Sequence, residues 1–171
     1  MLVQEIINIL AILTVIGDLF IGLSLIILFS GKRLLKEHQK NIKKHYLAFA
    51  IIVAIIGTLG SLFFSEIAHF EPCKLCWFQR IFYYPLTIVF GIGLFYKDKN
   101  TYRYAVALSA IGAVFAAYHY IIQRLSIQTT CSVGAVSCTT IEMFKFGYVT
   151  FPMMALTGFV MMLLFLTLYR K

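Results

Sequence analysis

The stretch EPCKLCWFQRIFYYP, residues 71–85, puts two cysteines three positions apart behind a proline, sets an arginine four positions after the second, and runs on into apolar and aromatic residues. Reactive side chains heading an apolar run suggest the mouth of a membrane span. The chemistry they perform depends on which side of the membrane they face, so the rest of the chain has to be read first.

Of 171 residues, 61% are hydrophobic and 13% charged, and the mean hydropathy is +0.88. A soluble domain is roughly 45–50% apolar and 25% charged, so this is the composition of an integral membrane protein. A helical span needs about 20 mostly apolar residues, which leaves length for four or five spans in one bundle and none for a separate soluble domain. The formal charge of +8 raises a nucleic-acid partner. The basic residues, however, lie beside apolar runs rather than among aromatics on a polar face, so they report membrane orientation and no nucleic acid is implied.

Five spans are expected, at about residues 5–30, 46–65, 80–96, 104–122 and 148–169. The first lacks a basic leader and a small-residue cleavage site, so it reads as a retained helix and not a signal peptide. Residues 31–45 carry six Lys/Arg and read as a basic linker. Lys and Arg in short loops favour the cytoplasmic side. Placing 31–45, 97–103 and the C-terminus inside puts 11 of the 15 Lys/Arg there, leaving Lys74, Arg80, Arg124 and Lys145 outside. The layout is then N-terminus outside and C-terminus inside, with both cysteine loops, 66–79 and 123–147, extracytoplasmic. Tyrosines near the span ends, such as Tyr46, Tyr96, Tyr102, Tyr148 and Tyr169, suit an interfacial belt.

Four cysteines outside the cytosol invite disulfides. Cys73 and Cys76 have the spacing of half a zinc site, but Cys131 and Cys138 in CSVGAVSC are separated by six residues, and the two loops hold only His69 besides. No metal is therefore expected. As staples, a bridge closing Cys131 to Cys138 would gain roughly 2.5 kcal/mol and one closing Cys73 to Cys76 roughly 2 kcal/mol by loop entropy. Four cysteines allow three connectivities, and short, strained bridges are the labile ones. Pro72 suits a first helical turn, so a helix starting near Cys73 would aim its positive dipole end at both sulfurs and favour thiolates. Arg80, one turn below Cys76, either stabilises a Cys76 thiolate or an oxygen-bearing cofactor, or snorkels to headgroups. Trp77, Phe78, Phe82 and Tyr83 either wall such a cofactor or simply pack.

At these residues the chain resembles the DsbB/BdbC family of membrane disulfide-bond formation proteins, over roughly residues 46–171. The resemblance is carried by PCKLCWFQRIFYYP heading a span, by a second cysteine pair in the next external loop, and by the C-x-x-C coming first. It implies an all-α polytopic membrane protein: a DsbB-type four-helix bundle over 46–171, with 1–45 adding an N-terminal transmembrane helix and basic linker. It also implies an enzyme of the prokaryotic plasma membrane, a thiol:quinone oxidoreductase. Such a protein reoxidises a thioredoxin-like, DsbA-type thiol oxidase and passes the electrons to a membrane quinone, ubiquinone or menaquinone. By position, Cys73 and Cys76 match the quinone-proximal pair, with Cys76 engaging the quinone and Arg80 at the quinone site. Cys131 and Cys138 match the second-loop pair, with Cys131 forming the mixed disulfide with the partner and Cys138 linking transiently to Cys73. His119 lies near where the family has a quinone-site histidine; on its own it reads as well as an interfacial packing residue.

Two features depart from the family pattern, the short spacing of the second pair and the extra first span. Asp18 within that span is either functional or an acid that hydrogen-bonds a neighbouring helix. Two alternatives remain. A quinone reductase like vitamin K epoxide reductase has its loop cysteines before the C-x-x-C, the reverse of the order here. A non-catalytic membrane protein with stapled loops would turn nothing over.

Overall fold

The computed structural model describes residues 2–30, 32–96, 100–127 and 137–170. Cys131 and the rest of residues 128–136 lie outside them. Among the described residues the fold is all-helical: α1 (Leu2–Ser30), α2 (Lys32–Leu62), α3 (Lys74–Tyr96), α4 (Thr101–Arg124) and α5 (Phe151–Arg170). Five stretches are long and apolar enough to cross a membrane, the second running past the end of α2: Leu2–Ile27, His45–Ile67, Lys74–Tyr96, Thr101–Arg124 and Phe151–Leu168. The protein is thus a multi-pass membrane protein. The stretch expected as a basic linker is instead helical from Lys32 and continuous with the second span.

Helices α2, α3, α4 and α5 close a ring in chain order, and α1 lies outside it against α5 and α2. Between helices in lipid there is little hydrophobic drive, so close packing and interhelical hydrogen bonds must hold them together. Leu86, Phe90, Phe159, Met162 and Leu166 fill the centre of the ring. Gly57 on α2 and Gly158 on α5 leave no room for a methyl group because the Tyr83 ring of α3 lies against both. Thr58 and Thr87 link α2 to α3 through hydroxyls 3.0 Å apart.

Asp18 faces the bundle. Tyr148 donates its phenol proton to Asp18 Oδ2 at 2.8 Å, and the Thr157 hydroxyl lies 2.7 Å from Asp18 Oδ1. The carboxylate therefore docks the additional helix onto α5. Closer to its N-terminus, Ile7 and Ala11 of α1 pack with Phe64, Met143 and Val149.

Both breaks at the cysteine end of the ring have local causes. Helix α2 ends in a widened turn over Phe63–Ile67, with Ala68 N–H reaching the Phe63 carbonyl at 2.9 Å. His69 then takes a φ of 56°, which reverses the chain toward Cys73. Helix α5 begins at Phe151 and not at 148, because Lys145 and Val149 exchange backbone hydrogen bonds of 3.0 and 2.9 Å around a tight turn. Phe146 and Gly147 make that turn with φ of 51° and 78°.

Candidate active site

Helix α3 starts one residue after Cys73, whose carbonyl accepts the first helical bond from Trp77 N–H at 3.1 Å. Cys73 is thus the N-cap residue, and Pro72 sits just outside the helix, not in its first turn. Cys76 falls at N3, and its sulfur interacts with the Cys73 backbone N–H as the side chain of a capping box would. The two thiol sulfurs lie 3.5 Å apart, Cys73 donating to Cys76. The hydrogen bond given to Cys76, with burial adding to it, pushes the Cys73 thiol up to about 12, against a weaker opposing pull from His119. In the reduced pair the proton between the two sulfurs thus rests on Cys73.

His119, 2% exposed, comes up from α4. Its Nε2 lies 3.6 Å from Cys73 Sγ and 3.1 Å from the Cys138 carbonyl oxygen, while Nδ1 lies 2.9 Å from Gln79 Nε2. A carbonyl can only accept, so Nε2 carries the proton and Nδ1 accepts from the Gln79 amide. Cys138, 1% exposed, packs with Cys73, Leu75 and Ile122. The structure therefore gathers Cys73, Cys76, Cys138 and His119 at one end of the bundle, while Cys131 lies outside the described residues. Gln79 was not singled out from the sequence. Its only local signal is that it is a polar residue inside an apolar run.

Arg80 is 9% exposed and turned inward. Its Nη2 donates to the Ser61 carbonyl of α2 at 3.0 Å, its guanidinium lies 5.2 Å from the centre of the Trp77 ring, and its charge acts on Cys76. Cys73, Cys76, Gln79, Arg80, Tyr83, His119 and Cys138 all line one cavity of about 790 Å³, which α1, α2 and α5 also wall. Of the four aromatic residues singled out near the motif, only Tyr83 lines it. Phe78 and Phe82 stack instead on Phe115 of α4, with centroids 5.2 and 5.6 Å away, and Trp77 is more than half exposed.

A helical membrane bundle with a dithiol and a histidine buried in a cavity at its mouth defines a multi-pass membrane protein built for thiol chemistry. The family model described as "Disulfide bond formation protein DsbB" matches residues 43–169. The chain belongs to the DsbB family, the disulfide bond formation proteins, which implies oxidoreductase activity. Among curated proteins it is 47% identical over 113 residues to the SPbeta prophage-derived disulfide bond formation protein B of Bacillus subtilis, covering 66% of this chain and 76% of that one. It is 44% identical over 121 residues to the probable disulfide formation protein C 1 of Bacillus anthracis, covering 69% and 87%. It is 39% identical over 122 residues to the disulfide bond formation protein C of Bacillus subtilis, covering 70% and 88%. No solved structure matches the chain significantly. Helix α1 lies outside the family match.

Proposed function

We propose that the chain is a membrane thiol:quinone oxidoreductase that reoxidises a thioredoxin-like, DsbA-type thiol oxidase. The observation that carries this reading is the gathering of Cys73, Cys76 and Cys138 with His119 and Arg80 on one cavity. Its volume of about 790 Å³ suits a ligand head group, since such pockets run to about 300–1,000 Å³. Two polar groups fit a ring whose oxygens alternate between carbonyl and hydroxyl. Arg80 supplies donors, and Gln123 Oε1, buried on the cavity wall, has no hydrogen-bond partner among the described residues.

In this reading a partner thiolate attacks Cys131, and a second attack releases the partner as a disulfide, leaving Cys131 and Cys138 reduced. Exchange through a Cys73–Cys138 bridge then passes two electrons to Cys73 and Cys76. Arg80 and Gln123 would hold the quinone in the cavity that Cys76 also lines. When bound, the quinone would supply the oxidising power by taking up two electrons and two protons. Those two electrons are released as Cys73 closes the disulfide on Cys76, and the Cys73 proton leaves beside His119. The 11 of 15 Lys/Arg at the opposite end of the spans support an extracytoplasmic face for the cysteines in a prokaryotic plasma membrane. Residues 46–171 form the catalytic bundle in this proposal, with 1–45 as its addition.

The test mixes purified protein, a quinone and a reduced thioredoxin-like partner, and follows quinone reduction together with thiol loss. Wild type should lose two thiols for each quinone reduced, and Cys76→Ser should do neither. Equal inactivity of both proteins sinks the proposal.

A further inference from the structure

The sequence argues against zinc because the second cysteine pair has the wrong spacing, but a third ligand arrives from another helix. Cys73 Sγ lies 3.5 Å from Cys76 Sγ and 3.6 Å from His119 Nε2, and all three donor atoms fall within 4.8 Å of one another. Zinc binds cysteine sulfur at about 2.3 Å and histidine nitrogen at about 2.0–2.1 Å in a tetrahedron. Two sulfurs on one ion are then about 3.8 Å apart, and a sulfur and a nitrogen about 3.6 Å apart. Both edges that meet at Cys73 are already nearly these lengths, and the third, Cys76 Sγ to His119 Nε2, is within 4.8 Å.

We propose that reduced Cys73 and Cys76, with His119, form a binding site for a borderline-soft divalent cation such as Zn²⁺, and that the bound ion holds the pair reduced and unreactive. Two thiolates and a neutral imidazole cancel the ion's charge, which suits a buried position where an uncompensated charge is costly. Three protein ligands leave one position for water. Each bound thiol gives its proton to solvent, and no electron moves.

The surroundings allow the change of tautomer that binding requires. His119 Nε2 must release the Cys138 carbonyl to present its lone pair, and the imidazole proton then sits on Nδ1. Gln79, 2.9 Å away, can accept that proton once its amide turns over, exchanging nitrogen for oxygen. A ligating histidine oriented through its other nitrogen is the usual arrangement at metal sites. A Cys73–Cys76 disulfide removes both thiolates, so the site exists only in the reduced protein. The inference does not depend on the quinone reading.

The experiment titrates the full-length, reduced protein in detergent with Co²⁺ and then Zn²⁺. One equivalent of Co²⁺ should produce thiolate-to-cobalt charge-transfer absorption that Zn²⁺ abolishes, and the oxidised protein should produce none. His119→Ala should weaken binding at least tenfold, and Gln79→Leu by about 10–100-fold, as the loss of an orienting partner does. A variant-free arm maps alkylation in reduced wild type, where Zn²⁺ should protect Cys73 and Cys76 but not Cys131 or Cys138. The proposal is overturned by the absence of the band in reduced wild type, by undiminished binding in folded His119→Ala, or by equal protection of all four cysteines.

Discussion

Tyr148 and Asp18, 130 positions apart in sequence, are joined by a 2.8 Å hydrogen bond from the phenol to the carboxylate. Thr157 also approaches the carboxylate at 2.7 Å, but its single proton is shared with the Met153 carbonyl at 3.0 Å. Tyr148 is therefore the firmer tie between α1 and the rest of the bundle. Asp18→Ala should cost about 1–3 kcal/mol, the range for a buried polar group left without its partner, read as a lower unfolding temperature in detergent, and Asp18→Asn should cost less. Unchanged unfolding in Asp18→Ala would mean that α1 is held by packing alone.

The same bond predicts a pH response. Burial first, then the hydrogen bond to Asp18 and its charge, raise Tyr148 from the usual 10.0 to about 12. The folded state thus holds the phenol proton more tightly than the unfolded chain. The stability this contributes is complete below about pH 10 and is lost as pH rises toward about 12. Tyrosinate absorbance of wild type minus Tyr148→Phe should show one late-titrating tyrosine, and Asp18→Asn should move it part of the way down. A difference curve centred at 10 would contradict the geometry.

Tyr83 offers a sharper test of packing, because the two glycines beside it meet different atoms. A methyl group at Gly158 would strike the Tyr83 hydroxyl first, whereas one at Gly57 would strike the ring carbons. Overpacking of this kind costs about 1–3 kcal/mol. Tyr83→Phe should therefore rescue much of the loss in Gly158→Ala and little of it in Gly57→Ala, a coupling that a double-mutant cycle measures. Equal rescue at both positions would show that the ring moves as a whole.

These residues also mark where the sequence was legible. Hydropathy alone places the five spans, because lipid demands long apolar helices, and Pro72 beside Cys73 locates the start of α3. Hydropathy does not say which face of a span looks inward, since lipid and bundle core are equally apolar. For that reason Phe78 and Phe82 belong to the α3–α4 seam and only Tyr83 reaches the cavity. Gln79 with His119, and Asp18 with Tyr148, are pairings across helices that no local spacing encodes. Tyr148 continues the apolar run, so hydropathy starts the last span early, while the left-handed turn at Phe146 and Gly147 leaves no such trace.

Arg80 carries the last prediction, which rests on the quinone reading. Its guanidinium donates to the Ser61 carbonyl across the α2–α3 seam and lies over Trp77, so one side of the planar fork is fixed while it lines the cavity. A lysine ammonium cannot keep the Ser61 contact, stack on Trp77 and still present a donor in a set direction. Removing a charged donor costs about 1.5–3 kcal/mol, or about 10–100-fold. Arg80→Ala should raise the quinone KM by that factor while single-turnover disulfide exchange with the partner stays near wild type, and Arg80→Lys should recover only part of the loss. If exchange fell in step with quinone use, Arg80 would be holding the cysteine end of the bundle together and not orienting a ligand.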